Sequence, residues 1–176
     1  MAILPIRLYP DPILLRPTDP VPQVDDEIRK LVQDMVETMT RAPGIGLAAN
    51  QVGVPLRLCV VDLNSGQEPG GLVVLINPEI TEASGTQLGE EGCLSFPDIT
   101  IEVTRARLAT VESIDLEGKS VTLSAEGLLA RAILHECEHL DGKTFLQNVS
   151  SLKRELVKRQ IRKRIRSGDW VDAAAK

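Results

Sequence analysis

Apolar positions recur every three or four residues in DDEIRKLVQDMVETMTRAPG, where Ile28, Leu31, Val32, Met35, Val36 and Met39 share one face. That spacing predicts an amphipathic helix with Asp25 or Asp26 as N-cap and Pro43-Gly44 as its stop. Two β-branched runs follow, LRLCVVDL and LVVLINPEI, which read as core strands on either side of the turn-forming NSGQEPGG. From Thr86 to Ser124 the runs are short: ITIEVTR and LATVESID alternate, and Leu116 to Lys119, containing Gly118, predicts a hairpin turn into SVTL. Helical spacing returns in AEGLLARAILHECEHL, with Ser124 as expected cap and Gly142 as terminator. A last helix is expected from Ser151 to about Arg166, docking through Leu152, Leu156, Ile161 and Ile165.

A helix, then strands, then helices, without regular βαβ alternation, predicts an α+β fold with a mostly antiparallel sheet. No repeat, low-complexity tract or long linker divides the chain, so a single domain over residues 1–176 is expected. Gly44 and Gly46 do not complete a GxGxxG pattern and follow no strand, and no P-loop sequence is present, which argues against nucleotide binding.

Composition narrows the function further. Aromatic residues are 2% of the chain, so the core must be aliphatic and base-stacking surfaces for single-stranded nucleic acid have little to draw on. No apolar run approaches the ~20 residues that span a bilayer, and prolines interrupt the opening MAILPIRLYPDP, so a cytoplasmic protein without a membrane segment is expected. Three cysteines, an odd number, argue against a disulfide framework and for buried, reactive or metal-binding thiols. The net charge of −5 is uneven: between Lys153 and Arg166 eight basic residues face one acid, Glu155, giving +7 there and −12 elsewhere. The tail is a basic helix on an acidic body.

The chain's two histidines, His135 and His139, stand four apart in HECEH within a predicted helix. Residues i and i+4 lie one turn apart on the same face, so both imidazoles can reach one ion with Glu136 beside them. Leu128 and Ala132 share that face, which is therefore expected to point toward the core. A catalytic site of this type needs a third protein ligand and one open position. Candidates are a downstream Glu or Asp, or a cysteine, of which Cys93 in GEEGCLSFP stands out. Cys137 lies on the other side of the helix from His135, and Cys59 reads as core. From the residues alone, a metallopeptidase and a non-enzymatic metal- or ribosome-binding protein are competing readings. The glutamate between the two histidines favours catalysis, because a buried carboxylate is costly unless used or paired.

GIGLAANQ (Gly44 to Gln51), EGCLS (Glu91 to Ser95) and HECEHLDG (His135 to Gly142), in that order and separation, resemble the three signature motifs of the peptide deformylase family. The resemblance extends over nearly the whole chain. It implies a hydrolase that removes the N-formyl group from the N-terminal methionine of new polypeptides, built around a central HExxH helix with N-terminal and C-terminal helices. It implies one divalent metal on Cys93, His135 and His139, ferrous iron in the cell, with Zn(II), Ni(II) or Co(II) also compatible with the ligand set. Glu136 is implied as general base, and the Gln51 amide with the Leu94 backbone N–H as oxyanion donors. Gly44, Ile45 and Gly46 are implied as the edge that pairs with an extended peptide, and Glu91 as the partner that orients a ligand histidine. The basic helix is either a solvated face or, as the resemblance implies, a ribosome contact. Leu134 stands where the family commonly has glutamine, Glu138 where it has aspartate, and Phe96 and Asp98 also depart from the usual pattern.

Overall fold

The computed structural model describes residues 2–64 and 70–172. The expected first helix is α1 (Asp26–Arg41), capped by Asp25, whose side chain accepts the Ile28 N–H at 3.0 Å. Strands β1 (Gly46–Ala48), β2 (Leu58–Val61) and β3 (Val73–Ser84) precede β4 (Gln87–Gly92), β5 (Thr100–Arg105), β6 (Leu108–Ile114) and β7 (Ser120–Glu126). The HECEH segment lies on α2 (Gly127–Leu140), and the basic tail is α3 (Ser151–Ser167). Most of the predicted NSGQEPGG turn, residues 65–69, lies outside the described residues.

All paired strands are antiparallel, in a five-stranded sheet of order β1-β2-β3-β6-β7 and a separate β4-β5 hairpin. The α+β expectation holds. Every residue of β2 is buried because helices cover both faces of the sheet. Cys59 and Val61 face α2 with Ile133, Cys137 and Leu140, while Leu58 and Val60 face α1 with Val32, Met35 and Met39. A third cluster, Phe96, Ile101, Val103, Phe145, Val157 and Ile161, packs the β4-β5 hairpin against α3. Each such side chain contributes about 1.5–3 kcal/mol on burial.

The predicted hairpin turn is present, with Gly118 at φ 79° and the Asp115 carboxylate accepting the N–H groups of Glu117 and Lys119. Three expectations are corrected. Ser124 does not cap α2: it pairs with Thr110 inside β7, and the helix begins after Glu126, which makes no side-chain cap bond. The docking face of α3 keeps only Ile161 of the expected Leu-Ile stripe. Leu152 and Leu156 are 71% and 56% exposed, Ile165 is also exposed, and Val157 and Ile161 are the residues that bury. Finally, β3 runs four residues past Ile80 and β4 forms from QLGEEG, because backbone pairing with β6 and β5 extends both strands where side-chain patterning gives no signal.

Candidate active site

The β4-β5 hairpin delivers Cys93 just past the end of β4, opposite the face of α2 that carries His135 and His139. One ligand atom from each of these three residues lies within 4.8 Å of the others, and Cys93 Sγ stands 3.2 Å from His139 Nε2. The face they form is buried as expected at Ala132, His135 and His139 and opens outward only at Leu128. Leu128 is 52% exposed, and with Ala132, His135 and Glu136 it lines an open cleft of about 570 Å³. Gly44, Ile45 and Gly46 line the same cleft, as do Gln51 and Leu94.

His135 is oriented from behind. Its Nδ1 lies 2.9 Å from Glu91 Oε2, which sets Nδ1 as the donor and leaves Nε2 for a ligand. Glu91 is itself buried and held by two guanidinium groups. Arg105 donates from Nε at 2.5 Å and from Nη2 at 2.9 Å, and Arg131 donates from Nη1 at 2.7 Å. Burial pushes the Glu91 pKa up, but His135 and Arg105 outweigh it and hold the carboxyl at about 2. Glu138 completes this network, pairing with Arg105 Nη1 at 2.9 Å and accepting from Asn148. Its departure from the family pattern therefore bears on the group that holds Glu91. Leu134 is half-buried against the core cluster beneath α2.

Glu136 is buried, and that burial raises its pKa to about 7, against the downward pull of His135 and Arg105. A carboxyl in that range can take a proton and return it near neutral pH. A Cβ placed on Gly46 would lie 2.3 Å from Glu136 Oε1, so the absence of a side chain at Gly46 makes room for this carboxylate. Gly46 sits in the edge strand β1. Ile45 O accepts from Asp62 N–H, so Ile45 and Leu47 direct their backbone groups toward β2 and Gly46 directs its own to the open edge.

Gln51 has a fixed amide orientation. Its Oε1 accepts the Ala48 N–H at 2.8 Å, and its Nε2 points to Ser95 Oγ at 3.1 Å and Cys93 Sγ at 3.5 Å. Asn50, on the same 3₁₀ turn (Ala49–Val52), donates to the His139 carbonyl at 2.6 Å and ties the turn to α2. Cys137 packs with Cys59 in the core behind the helix, away from this cluster, as its helical position predicts.

The donor set fits one divalent ion: two imidazoles and a thiol, gathered in a mostly buried cluster, with Glu136 Oε2 and His139 Nδ1 buried and without hydrogen-bond partners among the described residues. Sequence reasoning missed Arg105, Arg131, Asn50 and Ser95. Two had a signal: Arg105 occupies an inward position after Ile101 and Val103, and Arg131 precedes His135 by one helical turn.

A model of the polypeptide deformylase family matches residues 3–155. A peptide deformylase of Acidobacterium capsulatum is 50% identical over 170 residues, covering 97% of this chain and 100% of that relative. One from Alkalilimnicola ehrlichii is 48% identical over 170 residues, with 96% and 94% covered. Among solved structures, a peptide deformylase from Legionella pneumophila superposes with a TM-score of 0.88 at 40% identity, covering 95% of this chain and 98% of that one. A peptide deformylase from Ehrlichia chaffeensis in complex with actinonin gives 0.87 at 38% identity, with 93% and 98% covered.

Proposed function

The chain belongs to the polypeptide deformylase family, whose reaction removes the N-formyl group from nascent polypeptides, and we propose how its own residues carry that reaction. Cys93, His135 and His139 hold the single metal, with Fe(II) as its cellular form. A bound divalent ion supplies Lewis-acid polarisation and lowers the pKa of a water toward neutrality. Glu136 removes a proton from the attacking water and later delivers it to the departing amine nitrogen. The water oxygen first adds to the formyl carbon as its C=O π bond opens, and the C–N bond then breaks as the C=O bond re-forms and the nitrogen takes the proton, giving formate and a free α-amine. Gln51 Nε2 and the Leu94 N–H donate to the oxyanion that develops on the formyl oxygen. The open edge at Gly46, with Gly44 and Ile45 beside it, pairs with the extended peptide.

The observation that carries this reading is the buried Glu136, one residue from His135, in the cleft that also holds Cys93 and the preoriented Gln51 amide. A metallopeptidase would give Cys93 and Gln51 no role. The test is formate release from formyl-Met peptides by the metal-loaded protein. Cleavage of internal peptide bonds without formate release would overturn the reading.

The whole chain acts as one catalytic unit in the cytoplasm, and no helix of the described residues is long and apolar enough to cross a membrane. The exposed bases of α3 contact ribosomal RNA. Lys153, Arg159, Arg162, Lys163 and Arg166 face solvent, whereas Arg154 and Arg164 turn inward. Reversing Arg159, Arg162, Lys163 and Arg166 to Glu should abolish ribosome co-sedimentation at low salt and leave activity on short formylated peptides intact. Unchanged co-sedimentation would reject the contact.

A further inference from the structure

The loop from Cys93 to Ile99 carries a metal-ligand candidate at one end and the rim of the cleft at the other, where Phe96, Pro97, Asp98 and Ile99 line the opening. Two backbone hydrogen bonds brace it from within, Phe96 N–H to Cys93 O and Ile99 N–H to Phe96 O. Its tip turns at Asp98, φ 59°, in the left-handed region that aspartate adopts more readily than most residues with a side chain. A contact from outside the loop also holds that tip.

Arg164 of α3 does so. Its Nη1 donates to Pro97 O at 2.6 Å, and its Nη2 donates to Asp98 Oδ2 and to Asp169 O, both at 2.9 Å. The guanidinium lies 5.1 Å from the ring centroid of Trp170, whose indole N–H donates to Tyr9 O. Tyr9 in turn donates its N–H to Ser95 O and stacks on Phe96 at 5.0 Å. The planar fork reaches a carbonyl and a carboxylate on adjacent loop residues at once, which a lysine ammonium cannot reproduce. Arg164 lies beyond residues 3–155, the span matched by the family model.

We propose that Arg164 is a positioning residue that latches the Pro97–Asp98 rim to the C-terminal helix and so sets how tightly the cleft grips the peptide portion downstream of the formylated residue. The proposal rests on the deformylase reading. Glu136, His135, His139 and Gln51 sit on α2 and the Ala49–Val52 turn, and the Cys93–Ser95 end of the loop has its own ties, Tyr9 N–H to Ser95 O and Gln51 Nε2 to Ser95 Oγ, so releasing the rim leaves the reacting groups in place. Binding lost equally from ground and transition states appears in KM, with kcat retained.

The experiment compares wild type, Arg164→Ala and Arg164→Lys as metal-loaded enzymes, on a formylated tripeptide and on formyl-methionine amide. Arg164→Ala should raise KM for the tripeptide about fivefold, the scale of one lost hydrogen-bonded contact, with kcat within about twofold. KM for the single-residue substrate should not change, and Arg164→Lys should fall between. In hydrogen exchange, the Phe96 and Ile99 amides should exchange faster in Arg164→Ala, while those of α2 keep their wild-type rates. Unchanged tripeptide KM, an equal rise for both substrates, or a lowered melting temperature with wild-type exchange in the loop each overturns the latch. Absence of formate release by wild type would instead overturn the deformylase reading, and the exchange comparison would still decide whether Arg164 holds the loop.

Discussion

Replacing Glu91 by glutamine removes a single charge from a buried ionic network. Glu91, Arg105 and Arg131 are all buried, and the carboxylate accepts two bonds from Arg105, one from Arg131 and one from His135. A glutamine keeps one acceptor oxygen but turns an amide NH₂ toward the donors it replaces. Breaking one partner of a buried pair costs about 3–5 kcal/mol, because the remaining charge stays buried without compensation. Arg105 keeps its bond to the partly exposed Glu138, so the lower part of that range, about 3 kcal/mol, is expected for the metal-free protein. Urea denaturation of the metal-free variant against wild type measures it, with equal slopes confirming that the unfolded states are comparable. A second consequence follows at His135, which loses the acceptor that fixes its tautomer, so metal affinity should fall about tenfold or more. A stability loss below about 1 kcal/mol together with wild-type metal retention would refute the claim that Glu91 anchors both the arginines and the ligand histidine.

Glu136→Gln should keep wild-type metal content and lose at least about 100-fold in turnover, since the ligands remain and the proton carrier is gone; a variant with a third of wild-type activity would remove Glu136 from that role. Cys93→Ser should weaken or abolish metal retention by elemental analysis, whereas Cys137→Ser, on the core side of α2, should bind metal normally. The Ile28 N–H holds the Asp25 carboxyl below the usual range, so its contribution is complete above about pH 4 and fades as pH falls through the lower folded-state value. Asp25→Asn keeps the acceptor without the charge; the stability gap between wild type and variant should be flat from pH 8 to 5 and change only below about pH 4, and a gap constant down to pH 2.5 would reject this account.

The elements legible in the sequence are those whose position is written in apolar spacing. The α1 face, the two-sided burial of β2, the alternation of β5 and β6 and the HECEH pair on α2 all follow that rule. The three signature segments converge on one cleft because Glu91 to Ser95 ends β4 and Gly44 to Gln51 forms the sheet edge beside α2. Gly46 is legible as an open-edge position that admits a peptide backbone, and the geometry adds a second reason, since the missing side chain leaves space for the Glu136 carboxylate.

What spacing did not reveal is a set of arginines that point inward. Along α3 the docking positions are Arg154, Val157, Ile161 and Arg164, two apolar and two charged, so a count of apolar residues selects Leu152 and Leu156, which face solvent instead. The two arginines reach backbone oxygens: Arg154 donates to Leu146 O and Arg164 to Pro97 O. Arg131 does the same toward Gln87 O and Val103 O while binding Glu91, and Arg105 continues the inward alternation of Ile101 and Val103. Loops and hairpins leave carbonyls that no strand or helix satisfies, and a planar five-donor side chain can collect several of them from one buried position. In an aromatic-poor core, these guanidinium groups fix the β4-β5 hairpin to both α2 and α3. The basic residues of α3 therefore divide by face, with Arg154 and Arg164 turned inward onto backbone oxygens and Lys153, Arg159, Arg162, Lys163 and Arg166 exposed to solvent.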